Sequence, residues 1–100
     1  MSIFLVEQSR EFRSWIKGLR DRRAQERIAQ RIARLSGGLF GDAKPVGEGV
    51  MELRIDHGPG YRMYFTRRGP IVILLLCGGD KGSQKRDIAR AKSLAAQVED

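Results

Sequence analysis

One cysteine and one histidine are all that this 100-residue chain offers of the residues that build disulfides and zinc sites. A single thiol closes no disulfide within the chain, and a lone His beside a lone Cys falls short of an ordinary zinc ligand set. Long apolar runs are missing as well: the longest, Ile71–Cys77, has seven residues where a membrane helix needs roughly 20. The opening MSIFLVEQ lacks the basic stretch, long apolar region and small-residue cleavage site of a secretory signal. These absences lead us to expect a cytoplasmic, metal-free protein with no cofactor and no membrane partner. The length suits one packed core and not two, so residues 1–100 are expected to form a single domain.

Positive charge is what the chain has in abundance. Nineteen Lys and Arg against twelve Asp and Glu leave a formal net charge of +7. Such an excess favours polyanionic partners through phosphate contacts and counterion release, although a basic surface by itself names no partner. Fourteen of the nineteen are arginine. The guanidinium fork matches phosphate oxygens and stacks on bases, so the bias leans toward nucleic acid.

Periodicity divides the chain into a helical half and a sheet half. Ile3–Val6 is a short apolar run compatible with a strand. Ser9 is a plausible N-cap for a helix over Arg10–Leu19, whose Phe12, Trp15, Ile16 and Leu19 keep helical spacing. Asp21 can cap a second helix running to about Leu35, with Ala24, Ile28, Ile32 and Leu35 on one face. The Gly- and Pro-containing stretch Ser36–Gly49 reads as loop. Val50–Asp56 alternates apolar and polar residues as a half-buried strand does, His57-Gly58-Pro59-Gly60 is a turn, and Tyr61–Thr66 is the next strand. Ile71–Cys77 reads as a strand buried on both faces, ended by Gly78-Gly79. Asp80 or Ser83 then opens a last helix with Ile88, Ala91, Leu94, Ala95 and Val98 on one side. The expected class is α+β in the order β-α-α-β-β-β-α, a small curved, mostly antiparallel sheet with an αα-hairpin packed on one face and a C-terminal helix.

If Met51, Leu53, Met63 and Phe65 face the helix pair, Glu52, Arg54, Arg62 and Tyr64 share the opposite, partly open face. Arginines projecting from adjacent strands are costly to bury without anions. On the second helix Arg20, Arg23, Arg27, Arg31 and Arg34 recur every three or four residues, which makes a basic stripe that is either a solvated face or a docking surface. Trp15 reads as core between the helix pair and the sheet, and Cys77 as a small apolar filler. The segment Gly78-Gly79-Asp80-Lys81-Gly82-Ser83 is similar to a phosphate-cradling loop before a helix, without the spacing of a Walker motif.

Several segments, in this order and spacing, carry a family resemblance: Phe12-Arg13-Ser14-Trp15, Lys44-Pro45-Val46-Gly47-Glu48-Gly49-Val50, Glu52-Leu53-Arg54, Gly58-Pro59-Gly60-Tyr61-Arg62-Met63-Tyr64-Phe65, and Leu76-Cys77-Gly78-Gly79-Asp80-Lys81 followed by Gln84 and Asp87-Ile88. Over nearly its whole length the chain resembles the RelE/ParE toxin superfamily, and more narrowly its HigB-like addiction module killer branch. The resemblance implies a toxin of a bacterial type II toxin–antitoxin module, neutralised by a cognate antitoxin. It further implies an endoribonuclease that enters the ribosome and cuts mRNA through the substrate's 2′-hydroxyl, and that meets operator DNA only within the toxin–antitoxin complex.

By the same resemblance Arg62 matches the arginine that braces the scissile phosphate, though it could instead pair with Glu52 across the strands in an ion pair worth about 0–1 kcal/mol. Arg54 stands where some ribonuclease members carry a lysine base; a guanidinium can hold phosphate but is a poor proton acceptor. Lys81 falls at the active-site rim, where neighbouring cations would depress its pKa and suit it to proton transfer. Lys85 and Arg86 lie one turn on as RNA contacts, joined by Arg27, Arg31 and Arg34 of the basic stripe. The chain departs from ribonuclease members in having Ile88 and no Tyr or His in its last helix. Tyr64, Tyr61 or the turn residue His57 would have to substitute as acid. These departures keep two other readings open: a ParE-type toxin that poisons DNA gyrase, and a non-catalytic component of a DNA-bound repressor.

Overall fold

The structure, a computed structural model, describes residues 3–98. The elements follow as β1 (Leu5–Gln8), α1 (Arg10–Gly18), α2 (Arg22–Ser36), β2 (Lys44–Gly47), β3 (Val50–Ile55), β4 (Tyr61–Arg68), β5 (Val72–Gly79), one 3-10 turn over Lys81–Ser83, and α3 (Gln84–Ala96). The five strands form one sheet in the order β1-β5-β4-β3-β2. β1 runs parallel to β5 and the other neighbours are antiparallel. The expected α+β class and mostly antiparallel sheet hold, with one strand more than expected.

That extra strand is β2, within the stretch read as loop. Pro45 and the flanking glycines hide it from a propensity argument, yet a proline is tolerated where β2 lies, at the sheet edge. Its ladder pairs Lys44 with Glu52 and Pro45 with Met51, then slips a residue before Gly47 pairs with Val50. The first strand is also displaced from its expected place. The amides of Ile3 and Phe4 both donate to the Ser36 carbonyl, at 2.7 and 2.9 Å, so these residues tie the chain start to the end of α2 and the strand begins at Leu5.

Two side chains start the helices where expected. Ser9 Oγ accepts from the Phe12 amide at 2.9 Å and donates to the Leu76 carbonyl at 2.6 Å, so one hydroxyl both caps α1 and pins it to β5. Asp21 accepts from the Ala24 amide at 3.2 Å at the head of α2. Gln25 then donates to the carbonyls of Ile16 and Leu19, at 3.2 and 2.8 Å, which closes the corner between the two helices.

Strand alternation sorts the core into two layers. Leu53, Ile55, Met63, Phe65, Ile73 and Leu75 turn toward Phe12, Ile28 and Leu35 of the helix pair. Val50, Tyr64, Leu74, Leu76 and Cys77 turn the other way and pack on Ala91 of α3, with Ile88, Leu94, Ala95 and Val98 beside them. The face expected to stay partly open is therefore covered by α3 over its middle. Burying each large side chain here is worth about 1.5–3 kcal/mol, which is why an amphipathic helix does not leave such a face bare.

Gly78 and Gly79 lie within β5 and are pressed from both sides. A Cβ on Gly78 would run into the Trp15 ring, and one on Gly79 into the Asp87 carboxylate. The glycine pair is thus a packing requirement: it lets Trp15 lie on the strand from the helix-pair side and Asp87 from the α3 side.

Candidate functional site

The β3–β4 register sets Arg54 directly opposite Arg62 and Glu52 directly opposite Tyr64. All four side chains fall on the α3 face, as the alternation predicts. At this end of the sheet α3 begins, and its first residue, Gln84, donates from Nε2 to Glu52 Oε2 at 2.8 Å. Glu52 has no exposed surface at all. Its other contacts are Tyr64, whose hydroxyl donates at 3.1 Å, and Arg54, whose Nε donates at 3.2 Å. Arg62 Nε stands 3.7 Å from the same carboxylate.

Burial works against a charge on Glu52, but the hydrogen bonds from Gln84, Arg54 and Tyr64 and the charge of Arg62 outweigh it and hold the carboxyl below its ordinary pKa. An ionised carboxylate beneath two arginines fixes both guanidinium groups in place. The trio carries two positive charges against one negative, so the site keeps a net positive charge after the internal pairing.

The two arginines differ in access. Arg62 is 6% exposed, and its Nη1 donates to the Gly60 carbonyl at 3.0 Å. Its Nε is buried and has no hydrogen-bond partner among the described residues. The Arg54 side chain is 45% exposed. Together they line a cleft of about 350 Å³ that also involves Gly60, Tyr61, Asp42 and Asp56. Arg62 is the enclosed charge at the wall and Arg54 the one a ligand can reach.

Lys81 joins them from the other side of the turn. Its amide lies 3.4 Å from the Pro59 carbonyl, and Gly60 is so close that a Cβ there would meet Lys81 Cβ at 3.6 Å and Arg62 Nη1 at 3.5 Å. The fold thus assembles Arg54, Arg62 and Lys81 around one turn. Lys85 and Arg86, in the first turn of α3, are exposed at the same end.

On α2, Arg27 and Arg34 are exposed, but Arg31 is half-buried. Its Nη1 donates to the Arg54 carbonyl at 3.2 Å and its Nη2 meets Asp42 at 2.7 Å. Arg31 is a bracket between α2 and β3, not a free member of a basic stripe. Its hydrogen bond also lowers the Asp42 pKa and neutralises one of the two acids at the cleft.

Three further sequence readings, besides that of Arg31, are corrected by this geometry. Tyr64, expected on an open face as a substitute acid, is fully buried with its hydroxyl donated to Glu52. Burial first, and then the neighbouring Glu52, push its pKa far above the usual phenol range, so it is a strut under the site. His57 is held by Asp21, Nε2 to Oδ2 at 2.9 Å, and braces the turn against α2. The supposed phosphate loop is occupied by its own acid: Asp80 Oδ1 accepts from the amides of Gly82 and Ser83 at 2.8 and 3.2 Å, which leaves those amides spoken for.

Two residues, Gln84 and Asp87, enter the sequence reading only through the family resemblance and receive no role there. Gln84 is polar at a helix start, a position that signals nothing about a contact 32 residues away. Asp87 is buried, accepts a short hydrogen bond from Ser83 Oγ, and has its carboxylate against Gly79. Cys77 fits the apolar filler expected of it: burial, with Asp87 nearby, raises its thiol pKa to about 12.

No family model matches the chain. An uncharacterized protein of Haemophilus influenzae is 45% identical over 93 residues, covering 93% of this chain and 94% of that one. Among solved structures, a double mutant of E. coli toxin RelE in the free state superposes with a TM-score of 0.74 over 98% of this chain and 100% of that chain, at 11% identity. That likeness gives the α+β architecture, with its mixed sheet and C-terminal helix, the name of a fold. The chain belongs to one family with the Haemophilus influenzae protein, and its fold is that of the RelE toxin.

Proposed function

We infer that the chain is the toxin of a bacterial type II toxin–antitoxin module of the HigB-like branch, a single cytoplasmic domain that cleaves ribosome-bound mRNA and is neutralised by a cognate antitoxin. The observation that carries this reading is the pair of arginines set opposite one another on β3 and β4, fixed by the buried Glu52 and open to a cleft beside Lys81. Such an arrangement suits a phosphodiester whose charge rises during reaction.

In the proposed reaction the 2′-hydroxyl oxygen attacks phosphorus and the bond from phosphorus to the 5′-oxygen breaks. The products are a 2′,3′-cyclic phosphate and a 5′-hydroxyl. Arg54 contacts a non-bridging oxygen, and Arg62, behind it, supplies a second fixed positive charge to the developing dianionic phosphorane. Lys81 at the rim takes the 2′-hydroxyl proton on its neutral amine and gives it to the departing 5′-oxygen, a transfer closed to the guanidinium groups because they stay protonated. Exposed Lys85, Arg86, Arg27 and Arg34 hold flanking RNA backbone.

Mapping 5′ ends of cellular transcripts after brief expression tests this reading. New ends within translated codons, absent with Arg54→Ala, are expected; intact mRNA under full growth arrest refutes it. One observation favours a second reading, a gyrase-poisoning toxin: Tyr64 and His57 are committed to Glu52 and Asp21, which leaves Lys81 and the cleft residue Tyr61, of the candidates named among the described residues, to carry protons. Loss of gyrase supercoiling at growth-arresting toxin levels, with transcripts uncut, selects it.

A further inference from the structure

A second cluster of cations lies on the α3 face at the opposite end of the sheet. There a pocket of about 280 Å³ is lined by Arg68 and Lys92 together with Thr66 and Glu48, while Arg67 between them turns to the other face and sets its guanidinium 4.9 Å from the Phe4 ring. Thr66 and Arg68 continue along β4 the alternate row that Arg62 and Tyr64 begin. The two clusters therefore belong to one surface, separated by six strand residues or about 20 Å. One flank of α3 connects them: Gln84 reaches Glu52 at one end and Lys92, two turns on, reaches Glu48 at the other.

Arg68 and Lys92 share this pocket with one lining acid, Glu48, and Glu7 stands beside its rim. Glu48 stands 3.5 Å from Lys92 with a side chain 70% exposed, and Glu7 stands 3.9 Å from Arg68. Glu48 is also the one described non-glycine residue with a positive φ, at 54°, between Gly47 and Gly49. A side chain other than glycine held in this conformation stores strain, and such strain concentrates at ligand clamps. A solvated carboxylate on a strained turn, resting on a lysine, is readily displaced by a stronger anion.

We propose that this pocket is a second phosphate-binding site: a single-stranded RNA seated at Arg54 and Arg62 runs along the flank of α3 and places a more distant phosphate against Lys92 and Arg68, in exchange for Glu48. This rests on the RNA reading above. A polyanion with regularly repeated charges engages both clusters at once, which one carboxylate side chain of a folded partner does not.

The test is fluorescence anisotropy with non-cleavable 2′-deoxy-substituted oligonucleotides of about four and about twelve nucleotides, across a salt series. Lys92→Ala is expected to weaken the longer probe about tenfold and to reduce its salt slope by about 0.7, and to leave the shorter probe unchanged. Lys92→Arg retains binding, and Glu48→Ala tightens it. Thermal melts of all variants establish that each is folded. Unchanged affinity and slope in Lys92→Ala, with Arg54→Ala still weakening both probes, overturn the second site alone. If neither variant affects either probe, the RNA reading falls with it. Lys92-dependent capture of a polyglutamate peptide, with no Lys92 effect on RNA, overturns the proposal in favour of an acidic protein partner.

Discussion

The hydroxyl of Tyr64 donates to Glu52 Oε2 at 3.1 Å across β3 and β4, and neither side chain has any exposed surface. This buried bond is the floor of the arginine site. Gln84 meets the same oxygen from α3, so the carboxylate joins two strands and a helix.

Replacing Glu52 should therefore loosen the fold as well as the site. Glu52→Ala leaves Arg62 enclosed without its counter-charge and is expected to cost about 3–5 kcal/mol; Glu52→Gln, which keeps the shape, should cost less. Urea unfolding measures both.

The same carboxyl predicts an acid limb. Its pKa in the fold lies below its ordinary 4.5, so its contribution is fully present above that value and is lost as pH falls through the folded-state pKa. Asp42 and Asp21 shift in the same direction, Asp42 through its bond to Arg31 and Asp21 through the Ala24 amide and then His57. Wild type should lose stability progressively below about pH 4.5, and Glu52→Gln should lose less over that range. Melting temperatures recorded from pH 7 downward compare the two slopes.

Glycine substitutions should diverge in sign. Gly78→Ala drives a methyl into the Trp15 ring and is expected to destabilise by about 1–3 kcal/mol or more. Gly18, at the end of α1, has nothing within 4 Å of its would-be Cβ, so Gly18→Ala should stabilise by about 0.4–1 kcal/mol. Chemical denaturation of the two variants side by side makes the comparison.

Ser9→Ala removes the cap of α1 and its bond to the Leu76 carbonyl together. A loss of about 1–2 kcal/mol is expected, with Ser9→Thr keeping most of the stability. Hydrogen exchange at the Phe12 amide should accelerate in Ser9→Ala before exchange elsewhere does.

Arg54→Ala should separate activity from stability. The side chain is half exposed, so its bond to Glu52 is worth about 1 kcal/mol at most. Transition-state charge stabilisation by one such group is worth about 10²–10³-fold in rate. Growth arrest and RNA cleavage should collapse at nearly unchanged denaturation midpoint.

Most elements were legible because their periodicities are local. Phe12, Trp15 and Ile16 announce α1, Ser9 and Asp21 announce where helices start, and alternation along β3 and β4 puts Glu52, Arg54, Arg62 and Tyr64 on one face. What stayed hidden depends on partners distant in sequence. β2 shows no strand pattern of its own and exists because β3 offers it an edge. The depth of Tyr64 depends on α3 lying across that face, which an amphipathic pattern does not reveal. Arg31 repeats at the same spacing as Arg27 and Arg34, and only the loop carrying Asp42 distinguishes it.

β1 docks in parallel on β5, joining Leu5–Gln8 to Val72–Leu75 across most of the chain. Contacts of such sequence separation slow folding, because a long loop must close before they form. During synthesis the first strand waits without its mate until the fifth has left the exit tunnel. A copy trimmed of its first eight residues would present a naked β5 edge to other chains, and self-association of such a fragment is the price of the missing strand.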